Sequence, residues 1–164
     1  MTVSDELKNR LWFLYQESVH RRVDHFTHSI AARIGLKDAR VDRKDGVVIA
    51  ATITTECTVA DDMLNGSGNT HGACLAYLID SCTTLALQLH SLEIGGSGPE
   101  GTTQALNIVY HAPAVSGTTL RIISTSLAVD DKSMSGKCEI WDANNKRLVA
   151  SGLQVKSTTT RARL

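Results

Sequence analysis

Aromatic residues are scarce in this chain: Phe, Trp and Tyr make up 4% of its 164 residues. That scarcity removes the stacking platforms by which proteins hold unpaired nucleic-acid bases. An excess of one charge is lacking too, because 17 Lys and Arg balance 17 Asp and Glu. Nucleic-acid-binding domains carry a basic footprint, so the balance argues against that class. No uninterrupted apolar run approaches the roughly 20 residues of a membrane span. Met1-Thr-Val-Ser-Asp-Glu-Leu-Lys has no basic segment followed by an apolar one, so no secretory leader is expected. Cys57, Cys74, Cys82 and Cys138 form no Cys-x-x-Cys pair. They are expected as free, mostly buried thiols rather than zinc ligands or disulfides.

What is present is ordinary for a soluble globular domain: 42% hydrophobic and 21% charged residues. The length suits one domain with a real core. Residues 4–23 read as a helix, with Ser4 as N-cap and Leu7, Leu11, Leu14 and Tyr15 at helical spacing. Residues 24–34 are ambiguous. His20, His25 and His28, with Arg21 and Arg22, read as a solvated face. Residues 37–43 alternate weakly, 44–46 signal a turn, and 47–59 are rich in β-branched residues, as strands are. A long helix is expected over 71–92. After the break at Gly95-Gly-Ser-Gly-Pro99, strands are expected over 102–111, 118–129, 133–142 and 147–157, the last two joined by a turn at 143–146. Strands and helices in this order imply an α+β fold with an antiparallel sheet, not alternating βαβ units.

The richest stretch is Asn65-Gly-Ser-Gly-Asn-Thr-His71-Gly72-Ala73, running into Cys74-Leu-Ala-Tyr-Leu-Ile-Asp80. A glycine-rich loop meets a helix start, whose unpaired N–H groups can hold a developing oxyanion. One carboxylate, Asp80, follows two turns in and can act as general base or nucleophile. On that helix Leu75, Leu78, Ile79, Cys82, Leu85, Ala86 and Leu89 share a bulky apolar face that should pack on the sheet. The other side carries Ala73, Ala76, Tyr77, Asp80, Thr83, Thr84 and Leu87, with no Lys or Arg anywhere on the helix. Such a helix needs covering on both sides, so a homodimer or higher oligomer is expected, with Asp80 near the subunit interface. The loop's glycines are misplaced for a dinucleotide fingerprint, and no βαβ unit surrounds them.

Asn65, His71-Gly72 and Asp80 at these spacings resemble the hotdog-fold acyl-CoA thioesterases. The likeness is greatest to the branch with the N-x5-H-G-[GA]-x7-D pattern, the phenylacetate-pathway and thioesterase-superfamily-member-2 type. The segment from Gly101 to Ala114 is similar to that family's strand after the helix, and the likeness runs from about Gly46 to Lys156. The resemblance implies a hotdog fold: an antiparallel β-sheet wrapped around a long central helix, here with an additional N-terminal helix. Residues 1–40 would form a helical extension packed on a single domain of 41–164. It implies hydrolysis of an acyl-CoA to carboxylic acid and CoA at a composite site in a homodimer or dimer of dimers.

Carried over by position, the Gly72 N–H would polarise the thioester carbonyl, Asn65 would assist it, and His71 would hold the loop or contact the acyl oxygen. Asp80 from the partner would activate water or attack, and Thr103 would orient that water. Lys132 and Lys156 are candidates for gripping CoA phosphates. No metal and no cofactor is implied, CoA being part of the substrate. Two departures stand out: Ala73 where many relatives have a second Gly, and Thr103 where many have Ser.

Other readings stand beside these. Asp80 could be a hydrogen-bonded structural carboxylate, His71 a simple helix-start residue, Asn65 a turn residue and Thr103 a β-former. The fold could also serve as a non-catalytic acyl-CoA-binding dimer, or as an enoyl or hydroxyacyl thioester hydratase. The hydratase reading suffers because His71 and Asp80, nine residues apart, lie about 180° around the helix. Finally, Ala162-Arg163-Leu164 is a variant of the Ser-Lys-Leu peroxisomal address, meaningful in a eukaryotic source and otherwise silent, leaving a cytoplasmic protein.

Overall fold

A computed structural model describes residues 3–158 apart from Arg22 and His25; Ala162-Arg163-Leu164 lies outside the described residues. Helix α1 spans Asp5–His20 and starts as expected, with the Ser4 hydroxyl accepting the Leu7 N–H at 3.3 Å. It ends three residues earlier than its sequence pattern suggests. The ambiguous stretch contains one short helix, α2 (His28–Ala31), entered through Thr27 at φ 78°. Tyr15 ties the two together by donating its hydroxyl to the Ala31 carbonyl at 3.1 Å. Strands β1 (Gly35–Lys44) and β2 (Val47–Thr58) follow, then a 3-10 turn at Asp61–Met63 and the long helix α3 (Gly72–Glu93). Four strands complete the chain: β3 (Thr102–Tyr110), β4 (Thr119–Val129), β5 (Ser133–Asp142) and β6 (Arg147–Ser157).

The six strands form one antiparallel sheet in the order β1-β2-β4-β5-β6-β3. This is the hotdog arrangement, a sheet wrapped around a central helix. Strand β3 lies at the sheet edge and pairs only with β6, Thr103 opposite Lys156 and Tyr110 opposite Ala150.

The expected core face of α3 is buried without exception, from Leu75 to Leu89. The other side differs from expectation, because Thr83, Thr84 and Leu87 are already buried within the single chain. The sheet curls far enough for Gly136 of β5 to meet Thr83 and Leu87, and α1 covers part of the remainder. Only a strip through Ala73, Ala76, Tyr77 and Asp80 stays open or half-buried. By length and composition alone α3 could cross a membrane, although Asp80, Gln88 and His90 interrupt its apolar run. Most of it is instead buried as the core helix of this domain. All four cysteines are buried and free. His20 and Arg21 are exposed, while Arg22 and His25 lie outside the described residues.

Two glycines set how closely α3 approaches the sheet. A Cβ at Gly136 would come within 2.7 Å of Thr83, and one at Gly152 within 2.8 Å of Ile79. Gly136→Ala and Gly152→Ala are each expected to cost about 1–3 kcal/mol through overpacking. Urea unfolding should show a lowered midpoint with an unchanged slope.

At the far end of α3, His90 is buried, and its Nδ1 shares a hydrogen bond of 2.8 Å with the Ser126 hydroxyl. Ser126 in turn accepts the Ala51 N–H at 2.8 Å. Burial depresses the His90 pKa below its usual 6.5. The unfolded chain therefore binds this proton more readily than the folded one. The His90 contribution to stability is complete above pH 6.5 and is lost as pH falls through 6.5 toward the lower folded value. His90→Gln, measured by denaturation across that range, should flatten the decline.

Candidate active site

The loop before α3 is tied at several points. Leu64 and Thr70 form a β-bridge. The Thr70 N–H and hydroxyl both donate to the Ala114 carbonyl, at 2.7 and 2.9 Å, and the His71 N–H donates to the Met63 carbonyl at 2.7 Å. The Asn65 side-chain oxygen accepts the Ser67 and Asn69 N–H groups, at 2.9 and 3.2 Å. Gly68 closes the turn at φ 76°, where a Cβ would be strained. Asn65 is thus a turn-former through its oxygen, and its amide N–H2 makes no hydrogen bond among the described residues.

His71 is the N-cap of α3, its Nδ1 accepting the Ala73 N–H at 3.0 Å. That role puts the ring proton on Nε2 of the neutral imidazole. The Cys74 and Leu75 N–H groups are taken by the His71 carbonyl. Among the first-turn donors the Gly72 N–H alone has no partner in the described residues. It sits at the positive end of a 22-residue helix, where partial charge favours an anion. Tyr110, overlooked in the sequence, lies against Gly72 and donates its hydroxyl to the Gly72 carbonyl at 3.1 Å.

Two turns along, Asp80 is half-buried and held by two strands. Its Oδ1 accepts the Thr103 hydroxyl at 2.7 Å and the Gln154 amide at 2.6 Å. Gln154 also reaches the Thr103 hydroxyl at 3.1 Å and the Asp80 carbonyl at 3.2 Å. Gln154 is fully buried and its own Oε1 has no partner. These contacts fix the amide's orientation, since a flip would turn that oxygen toward the carboxylate. The Asp80 Oδ2 makes no hydrogen bond among the described residues and is available for chemistry. Gln154 carried no sequence signal, because alternation on β6 marks it only as inward-facing.

The two lysines part company. Lys132 is exposed in the β4–β5 turn. Lys156 is buried, with its Nζ donating to the Thr84 hydroxyl at 2.7 Å. Burial lowers its pKa from the ordinary 10.5, while the negative charges of Asp80 and Glu100 pull it back up. Both Asp80 and Lys156 line a cavity of about 470 Å³ between α1 and α3. The structure therefore joins Asp80, Thr103 and Lys156 at one place, and Asn65, His71 and Gly72 at another. Eight residues of helix separate Gly72 from Asp80, a rise of about 12 Å.

An antiparallel six-stranded sheet wrapped around one long helix is the hotdog architecture. The chain belongs to the thioesterase superfamily, whose family model matches residues 67–149, half of its length. No curated protein matches it by sequence. Solved structures share the fold. Zebrafish thioesterase superfamily member 2 is 19% identical, with 91% of this chain and 98% of that chain covered at a TM-score of 0.73. The Escherichia coli protein from the phenylacetic acid degradation operon is 17% identical, with 94% and 96% covered at 0.65. A hypothetical thioesterase from Streptococcus pneumoniae, solved with coenzyme A, is 18% identical, with 90% and 99% covered at 0.67.

Asn65→Ala deletes the acceptor for two loop N–H groups. The expected cost is about 1–2 kcal/mol, comparable to a lost cap. Amide hydrogen exchange at Ser67 and Asn69 should quicken.

Proposed function

We propose that this protein is an acyl-CoA thioesterase acting as a homodimer with composite sites. The observation that carries the reading is the separation of its two half-sites. An oxyanion donor and a base must both lie near one carbonyl carbon, within a few ångströms. Gly72 and Asp80 of one chain are too far apart along α3 for that. Strand β3 supports a solution. Thr103 near one end is bonded to Asp80, and Tyr110 at the other is bonded to Gly72. An antiparallel pairing of β3 with its copy, centred between Leu106 and Asn107, sets Thr103 opposite the partner's Tyr110. Asp80 of one subunit then faces Gly72 of the other. The pairing also covers an edge strand whose Val109 and Tyr110 are more than half exposed.

In each site the Gly72 N–H holds the thioester oxygen as it gains charge, and the Asn65 amide N–H2 stands in the same loop as a second donor. Asp80, aimed by Thr103 and Gln154, takes a proton from water as that water bonds to the acyl carbon, or attacks the carbon itself. Collapse breaks the C–S bond and releases CoA; by either route one water is consumed and the free acid leaves. His71 caps the helix and so fixes where the Gly72 N–H points. The thioester is intrinsically activated, so the proposal invokes no metal and no cofactor. The coenzyme A in the pneumococcal relative supports CoA as the leaving group. Lys132 is the lysine exposed for a CoA phosphate.

Gly72→Pro removes the donor with little disturbance. Proline is favoured at a first helical position, and His71 already has the extended backbone it requires, at φ −63° and ψ 136°. Gly72→Pro and Asp80→Asn should each lower kcat about 10²–10³-fold, read by release of CoA thiol from a panel of acyl-CoA esters. Co-expressed in equal amounts with separate tags, the two inactive variants should regain about a quarter of wild-type activity, since half the dimers carry one intact site. No recovery would sink the composite site. Full activity of Asp80→Asn would sink the mechanism, and no turnover of any ester by the wild type, with CoA-ester binding intact, would leave the non-catalytic binding dimer.

A further inference from the structure

The cavity beside Asp80 combines apolar walls, from Leu14, Tyr15, Val19, Tyr77 and Leu85, with a group of polar side chains. Its polar lining includes Ser81, Thr84 and Gln88 from α3, with Lys156 from β6. An alkyl chain placed there would strip these groups of water and return no hydrogen bonds. Lys156 is the most demanding of them. It is 4% exposed, and an ammonium has three donors to satisfy. Among the described residues it makes one hydrogen bond, to the Thr84 hydroxyl, and no ion pair. That hydroxyl is committed as well, donating to the Asp80 carbonyl at 2.8 Å. Glu100 lines the same cavity but is exposed and makes no ion pair with Lys156. Asp80 and Glu100 are the nearest negative charges, but neither accepts a hydrogen bond from the ammonium, so two of its donors are left for an acceptor that a ligand brings.

We infer that this cavity receives an acyl group ending in a carboxylate, with Lys156 as its counter-ion. The inference rests on the thioesterase reading and names its substrate class: the mono-CoA thioester of a short dicarboxylic acid. Thr84, on which Lys156 is anchored, lies one turn beyond Asp80, roughly 6 Å along the helix. With the thioester carbon at Asp80, the distal carboxylate reaches Lys156 when the diacid has about four to six carbons, given C–C bonds of about 1.5 Å. Lys156 does not touch the reacting carbon; it is a specificity residue. A site built to satisfy a polar group discriminates sharply against an analogue that lacks it.

The test compares adipyl-CoA with hexanoyl-CoA, esters of equal chain length differing in the terminal carboxylate. Wild-type kcat/KM should favour adipyl-CoA at least about tenfold. Lys156→Met should lower that ratio at least about tenfold, mainly through KM for adipyl-CoA, while Lys156→Arg retains more of it. Wild-type protein that takes hexanoyl-CoA as well as adipyl-CoA overturns the inference, and this arm needs no variant to fold. An unchanged ratio in folded Lys156→Met, checked by thermal unfolding, also overturns it. Hydrolysis of other esters of the panel but of neither of these overturns the inference alone; if no ester is hydrolysed, the thioesterase reading fails, and calorimetric binding of the same two esters decides the cavity separately. Tighter adipyl-CoA binding that Lys156→Met weakens upholds the pocket; equal affinities overturn it.

Discussion

A carboxylate on a core helix has to be hydrogen-bonded, and most of this architecture follows from how Asp80 meets that demand. Its oxygen is held by Thr103 on β3 and Gln154 on β6, two strands distant in sequence and adjacent in the sheet. The helix must lie close to those strands for the contacts to form. Gly152, two residues before Gln154, leaves room for Ile79, the residue preceding Asp80. Close packing and the aim of the carboxylate are therefore one constraint: a bulkier residue at Gly152 would press on the helix beside the group it must position.

The order of elements could be read from the chain because it depends on local chemistry. Ser4 caps α1, Gly95 to Pro99 break the chain after α3, and alternation marks the later strands. The helix-start half of the candidate site was equally legible as a cluster, since Asn65, His71 and Gly72 are neighbours in sequence. What could not be read depends on register. Gln154 became visible only once β6 was paired on one side with β5 and on the other with β3. Lys156 looks like any strand-end lysine, and only the pairing with Thr103 and the proximity of Thr84 put it inside. The far face of α3 was misjudged for a related reason. Periodicity tells which residues share a face, but not how far a sheet will curl around it.

The N-terminal segment changes what the central helix can do. α1 lies over part of α3 and walls the cavity with Tyr15 and Val19. The sheet and helix alone would leave that side of Asp80 open to solvent. With α1 in place, the carboxylate borders a walled space lined by side chains from α1, α3 and β6. Differences between hotdog proteins in what they accept can thus arise outside the helix and strands that hold the reactive groups.

The self-capped start of α3 has one more consequence. His71 satisfies three successive backbone donors and leaves the Gly72 N–H aside. The hydrogen bonds that tie the loop hold this amide in place at the helix start. Any acceptor that docks there, substrate or otherwise, returns free energy to the fold itself, so occupancy and structural integrity of this end of the domain are thermodynamically linked.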